Sequence, residues 1–354
     1  MSILPGLLFA LLIAIVGGWS AEFIGTTVMG LPKSPLSGIM MAILIGILIR
    51  NTMGVSDRLQ PGIKFSVVRM LRLGIVLLGI RISLGEAGAI GLKAVPIILG
   101  TVPAALLVVT FVARRFGLSD RLGTLIAVGT GICGATAIVA TAPTIAAKEE
   151  ETSYAVACIA LFGSAAMLTY PYLAHWLFAG DAFKAGLFLG TSVHDTSQVA
   201  GAGLVYQQFF GDAQALDVAT VTKLVRNLSM LAVIPLMSIL YHRRTSAGAA
   251  PPPWYTMVPL FVIGFALVSL VRTVGDMAGA EEKVFGLLTH AQWKSLVGNT
   301  KTVAEYCLAI AMAGVGLSTS LANLKSIGLK PLGVGLFSAI VVGIVSVVLI
   351  SLFY

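Results

Sequence analysis

The chain is short of charge. Of its 354 residues only 11% are Asp, Glu, Lys or Arg, against about a quarter in an ordinary soluble domain. Apolar side chains reach 57%, where about 45–50% is usual, and the mean hydropathy is +0.97. Too little polar surface remains to clothe a water-soluble globule. A soluble enzyme, a nucleic-acid-binding domain and a disulfide scaffold are excluded on that ground. Cysteine is scarce too. The three, Cys133, Cys158 and Cys307, lie in apolar stretches and form no CxxC pair, so neither disulfides nor a zinc site is suggested. There is no Gly-Lys dipeptide and hence no phosphate-cradling P-loop. The four histidines precede Trp176, Asp195, Arg243 and Ala291, which rules out an HExxH zinc motif. ATP-driven pumping by this polypeptide alone and zinc proteolysis drop out. No cofactor, metal or catalytic residue is expected.

What is present is a series of long apolar runs. Crossing about 30 Å of hydrocarbon takes about 20 residues of helix. Charge-free runs occur at 1–21, 34–49, 94–113, 122–147, 152–180, 245–271, 306–324 and 331–354. Three more, 65–80, 185–211 and 218–242, are interrupted by charge. They lack the roughly ten-residue alternation of a membrane β-barrel. The expected fold is all-α: a polytopic membrane protein of about eleven transmembrane helices, forming one domain over residues 1–354. The N-terminus has no basic n-region and reads as an uncleaved first span. All four tryptophans, Trp19, Trp176, Trp254 and Trp293, fall at predicted span ends, where an amphipathic ring prefers the interface. Segment 281–297 places Val284, Leu287, Leu288 and Ala291 on one helical face, either as a short connecting helix or as one lying flat at the interface.

The basic surplus, 23 against 15 acidic residues, falls as punctuation between apolar runs, which is the pattern of topogenic charge. With the N-terminus inside, eleven basic residues fall in cytoplasmic loops, Arg114, Arg115, Arg243 and Arg244 among them, against eight outside. The basic, proline-rich stretch 242–256 reads as a cytoplasmic loop between spans.

Charge inside a membrane faces a cavity or a partner. Arg69 and Arg72, and again Lys223 and Arg226, are spaced i, i+3 and share a helix face. Arg69 and Lys223 lie near span ends, where snorkelling to headgroups is the alternative. Only two acidic residues, Asp195 and Glu305, stand well inside apolar context. Intramembrane charge therefore leans positive, which suits an anionic substrate.

The second signal is helix breaking. Gly129-Thr130-Gly131-Ile132-Cys133-Gly134-Ala135-Thr136 sets three glycines in six residues at a predicted bilayer midplane. Either another helix packs closely there, or the helix is discontinuous and turns a half-helix N-terminus toward an anion. The polar run His194-Asp195-Thr196-Ser197-Gln198 needs partners or water inside an apolar run. Its flanks are too short to span separately, which points to one broken span or a re-entrant hairpin. Residues 190–199 align with 129–138 without gaps, and 79–93 with 316–330. Paired breaks in related segments are a trace of transporter repeats. The second pair is separated so as to be inverted; the first would be parallel unless a segment is re-entrant.

These residues resemble a known family. Leu71 to Gly79, Gly131 to Ala137, Lys148 to Glu151, Leu161-Phe162-Gly163 with Tyr170-Pro171, Val193 to Val199 and Lys223 to Asn227 are similar to the YeiH-like family of bacterial inner-membrane proteins, to which sulfate export is ascribed. Thr130 before Gly131 departs from a serine-containing variant of that pattern. The resemblance covers almost the whole chain. It implies a multi-pass inner-membrane transporter related to cation/proton antiporters and anion transporters, with inverted repeats and crossing broken helices.

The leading expectation is a secondary transporter of a small inorganic or organic anion such as sulfate, working by alternating access. The substrate would lie among Gly129, Thr130, Gly131, Cys133, Gly134, Ala135, Thr136, His194, Asp195, Thr196 and Gln198, with Arg72, Lys223 or Arg226 supplying positive charge. A proton on His194 or Asp195, or sodium, would couple transport. The alternatives are an ion-coupled symporter or antiporter of another small organic solute, and an anion channel, which sparse polar residues disfavour. A membrane-embedded enzyme built on Cys133 or His194 is set aside, because Cys133 between Ile132 and Gly134 reads as a small apolar residue. The expected partners are the lipid bilayer, the solute and its coupling ion, and a second copy of the chain in a homo-oligomer.

Overall fold

The computed structural model describes residues 3–28, 37–245, 253, 255, 258–278, 283–320 and 329–354. Their helices fall into eleven segments, one on each predicted run. They are α1 (Leu4–Phe23), α2 (Gly38–Thr52), α3 (Gln60–Phe65) with α4 (Leu71–Leu78), and α5 (Leu84–Ala104) with α6 (Thr110–Arg115). Next come α7 (Asp120–Gly131) with α8 (Ala135–Thr141), α9 (Glu149–Leu177), α10 (Ala182–Ser192) with α11 (Thr196–Phe210), and α12 (Gln214–Asn227) with α13 (Met230–Thr245). The last are α14 (Leu260–Asp276), α15 (His290–Ser318) and α16 (Leu329–Phe353). Among the described residues five helical stretches are long and apolar enough to cross a membrane alone: Leu4–Val28, Leu84–Arg115, Glu149–Leu177, Gln214–Tyr241 and Leu329–Phe353. The protein is an all-α, multi-pass membrane protein. Within the expected loop 242–256, α13 continues to Thr245 and most of the remainder lies outside the described residues, Trp254 included. Part of the 316–330 repeat does so as well.

By contacts the chain forms two compact units. The first comprises Met1–Ile90, Gln207–Gly211 and Pro259–Ser320. Its core is Ala10, Ile13, Ala42, Ile63, Ala313 and Leu317. A smaller cluster joins Ile80, Val284, Trp293 and Val297. Trp293 is therefore buried, not set in an interfacial belt, and its indole N–H donates to Asp276 Oδ1 at 2.9 Å. The helix expected over 281–297 begins only at His290. Before it the chain turns, because Phe285 and Gly286 adopt φ of 55° and 70°, a left-handed conformation that ends helical bonding. Val284 and Leu288 pair across that turn. Glu305 meets Arg81 at 3.1 Å and accepts from Gln207 at 3.0 Å, so its charge is matched by hydrogen-bonding partners.

The second unit comprises Gly91–Tyr206, Asp212–Val258 and Leu321–Tyr354. Runs 122–147 and 185–211 do not pass straight through it. Ser119, which caps α7, donates to Glu151 in the first turn of α9 at 2.5 Å. Gly129 of α7 lies against the Ile138 side chain of α8. The chain thus enters on α7, turns at 132–134, and returns on α8 to the end where α9 starts. The second run does the same from the opposite end. Tyr206, near the close of α11, reaches Gly180 O at 3.5 Å and His175 Nδ1 at 3.1 Å. Gly180 lies between the end of α9 and the start of α10. These are two re-entrant hairpins, each closed by one long rod: α9 after the first, α12–α13 after the second. Since α9 connects the two ends, the pairs are inverted relative to each other.

Small residues set the approach of α10 to α12. Gly186 lies against Val218 and Gly190 against Thr222, so the two helices run in the same direction. A Cβ at Gly190 would lie 2.6 Å from Thr222 Cβ and 2.8 Å from Ala219 O. Such seams let backbones approach in lipid, where burial of apolar surface supplies little drive. Gly190→Leu should destabilise the protein by about 1–3 kcal/mol, read as a lower thermal midpoint of the detergent-solubilised protein. Gly88→Ala on α5, where a Cβ meets open space, should leave that midpoint unchanged or raise it.

Candidate functional site

The hairpin tips share a construction. α7 ends at Gly131 and α8 begins at Ala135, leaving Ile132-Cys133-Gly134; α10 ends at Ser192 and α11 begins at Thr196, leaving Val193-His194-Asp195. These triplets occupy the same offset from Gly129 and Gly190, the first residues of the aligned segments. Gly134 turns the first tip at φ 71°, ψ −131°, a conformation open to glycine and strained for other residues. A Cβ there would lie 2.7 Å from Asp195 Oδ2 and 3.2 Å from Asp195 Cα. The two tips therefore touch at Gly134 and Asp195.

Breaking a helix leaves its last carbonyls without partners. Here α12 answers them. Lys223 Nζ donates to Ile132 O at 2.8 Å, to Val193 O at 3.1 Å and to His194 O. Arg226 donates from Nε to Gly131 O at 2.7 Å, from one terminal nitrogen to Val193 O at 3.1 Å and Gly190 O at 3.4 Å, and from the other to Thr130 O. Both side chains are fully buried, at 0% exposure. Two cations thus staple the C-terminal ends of α7 and α10, where the helix dipoles carry about half a negative charge each. Their spacing of one turn on α12 matches the two tips. Among the described residues no carboxylate forms an ion pair with either.

The acidic member faces the other way. Asp195 Oδ1 accepts from Ser197 N at 2.9 Å and Ser197 Oγ at 2.7 Å, at the start of α11. That is where an N-terminal dipole favours negative charge. Gln198 braces the tip: its Oε1 accepts from Asp195 N at 3.0 Å and its Nε2 donates to Ala160 O of α9 at 3.1 Å. Around the tips lie buried polar atoms without a hydrogen-bond partner among the described residues: both ring nitrogens of His194, Thr130 Oγ1, Thr222 Oγ1 and Asn227 Oδ1. The accessible rim is formed by Ala135, Thr136, Asp195 and Thr196, all half-buried or exposed.

Thirteen of the fourteen residues expected at the site lie on the two hairpins and α12. Gly129, Thr130 and Gly131 close α7; Cys133 and Gly134 form the first tip; Ala135 and Thr136 open α8. The fourteenth, Arg72, belongs to α4 in the first unit and is exposed there. Cys133 is buried, its thiol donating to Met230 Sδ at 3.3 Å. What the breaks present to Lys223 and Arg226 is carbonyl oxygen. Thr222 and Asn227 were not anticipated. Asn227 donates to Thr196 Oγ1 at 3.2 Å, and its place four residues after Lys223 puts it on the same helix face, a spacing readable beforehand.

Comparison with known proteins gives one consistent match. A family model described as conserved hypothetical protein 698 matches residues 5–335. A UPF0324 membrane protein of Streptococcus pyogenes serotype M18 is 31% identical over 347 residues, covering 97% of this chain and 95% of its own. One from Streptococcus pneumoniae is 32% identical over 91% of this chain and 89% of its own. One from Chlorobaculum tepidum is 30% identical over 93% and 84%.

The geometry at the first tip makes one demand that stability can read. Gly134→Ala should cost about 1–3 kcal/mol for the backbone conformation alone, with the contact to Asp195 added. A clear drop in folded yield and thermal midpoint is expected, while Thr136→Ala on the exposed rim should match the wild type.

Proposed function

The chain belongs to the UPF0324 membrane protein family, and from the geometry of its two hairpins we propose that it is a secondary transporter of a small anion. The observation that carries this reading is the charge at the touching tips. Lys223 and Arg226 are fully buried and, among the described residues, unpaired by carboxylate. The half-charges of two helix C-termini and two N-termini offset each other. Asp195 removes one positive charge, and a surplus of about one remains in a low-dielectric setting where it repels cations and favours an anion. The solute would enter over Ala135, Thr136, Asp195 and Thr196 and be held by polar groups beneath: His194, Thr130, Thr222 and Asn227.

Inverted hairpins that touch tip to tip suit alternating access. Each tip is reached from its own end, and a small rocking of one against the other would change which end is open. Lys223 and Arg226, donating to both tips, would keep the broken ends saturated through that motion. Sulfate is one candidate among small oxyanions and sulfonates, and Asp195 or His194 is the candidate carrier of a coupling proton. The alternative of an anion channel has no specific observation behind it.

Reconstitution into liposomes tests the reading, with labelled sulfate, sulfite and small organic sulfonates offered at varied pH and sodium. Saturable flux that depends on a counter-ion or a gradient is the expected result. His194→Ala and Asp195→Asn should each change that flux at least tenfold, with protein still folded. Flux that never saturates would convert the assignment to a channel. Absence of anion flux under every gradient would overturn it.

A further inference from the structure

Away from the hairpin tips, the second unit carries a groove of 480 Å³ between α5–α6 and α13. Its volume lies within the roughly 300–1,000 Å³ typical of small-molecule sites. One wall is the stretch from Val102 and Pro103 to Thr110; the other is Val233 to Leu240 on α13. These walls are almost wholly apolar. The polar groups gather at one end, where Arg114, Thr124 and Tyr241 close it.

The groove owes its shape to a distorted helix. Pro103 sits inside α5 and removes a backbone donor. Directly after it, Ala105–Val109 relaxes into a wider π-helical turn before α6 resumes. Such turns are uncommon and occur mostly at functional places. Leu106 and Leu107 on this turn line the groove, and Leu107 is 72% exposed.

The dimensions and charge identify an occupant. From Val102 to Arg114 the helical rise is about 18 Å, close to the depth of one leaflet of a hydrocarbon core about 30 Å thick. An apolar slot of that depth fits an acyl chain, and a chain lying in it would bring its headgroup to the guanidinium at the mouth. Arg114 donates to both carboxylate oxygens of Asp120, from Nε at 2.7 Å and from a terminal nitrogen at 3.4 Å, with side chains 49% and 47% exposed. The remaining guanidinium hydrogens face an open mouth, so a phosphate can share the group. Arg115 follows at the end of α6, and α13 ends a few residues after Tyr241. Tyr241 donates to Asp120 O at 2.8 Å, so these helix ends meet at one end of the unit. Basic clusters at a membrane surface attract anionic lipid.

We propose that this groove binds an anionic glycerophospholipid, with one acyl chain lying along α5–α6 and α13 and the phosphate on Arg114. The site is separate from the hairpin tips and stands whether or not the protein transports an anion.

The test is native mass spectrometry of the full-length protein in detergent, with phosphatidylglycerol or phosphatidylcholine of matched chains added, and glycerol phosphate as a chain-free control. Phosphatidylglycerol should be retained at least threefold more than phosphatidylcholine, and glycerol phosphate not at all. Arg114→Gln, an exposed change, should erase the preference, and Arg114→Lys should keep most of it. Leu236→Trp, which fills the groove, should reduce retention of both lipids at least threefold. Equal retention of the two lipids, a preference untouched by Arg114→Gln, or binding of glycerol phosphate alone would each overturn the proposal.

Discussion

Two buried cations hold the second unit together at its least regular place. A helix broken inside a membrane leaves carbonyl oxygens that neither water nor lipid can satisfy, and each such group costs on the order of several kcal/mol. Lys223 and Arg226 supply the donors. They reach carbonyls on both tips, Ile132 and Gly131 on one, Val193 and Gly190 on the other. Without them neither hairpin has a reason to stop where it does. With them, two short half-helices from opposite ends become one saturated structure.

The polarity of this arrangement underlies the proposed function. The cations face the carbonyl ends of α7 and α10, while Asp195 takes the N-terminal side of α11. Opposite charges are thus sorted onto the helix ends that stabilise them. The rim left accessible lies at Ala135, Thr136, Asp195 and Thr196, and buried polar atoms of His194, Thr130, Thr222 and Asn227 have no partner among the described residues. On the proposed reading a solute would be recognised there through the residual positive charge of the site, not by direct capture on an ammonium whose three hydrogens already have acceptors.

The first unit is built differently. Its intramembrane acid, Glu305, is met by Arg81 and Gln207, and its described residues pack in two apolar clusters. The lipid groove belongs to the unit with the breaks, and its π-helical turn is a further departure from regular backbone there.

Much of this was legible in the residues. Low charge and long apolar runs dictate a helical membrane protein, because only helices satisfy their own backbone in lipid. Glycine at 129, 131 and 134 and five polar side chains from His194 to Gln198 mark the two breaks, since neither pattern sustains a buried helix. The i, i+3 pair Lys223 and Arg226 announces a charged face. What local pattern leaves open is direction and partner. A run of 26 or 27 residues, such as 122–147 or 185–211, reads alike whether it crosses or doubles back. Contacts distant in sequence, Ser119 with Glu151 and Tyr206 with Gly180, decide that both double back. Likewise Arg72 and Arg226 look equivalent as intramembrane arginines, yet Arg72 is exposed and Arg226 is fully buried with its guanidinium on the tips' carbonyls. Composition and spacing determine which groups must find partners; tertiary structure alone decides which partners they find, because hydrogen bonds and charge pairing act over a few ångströms that only the assembled chain brings together.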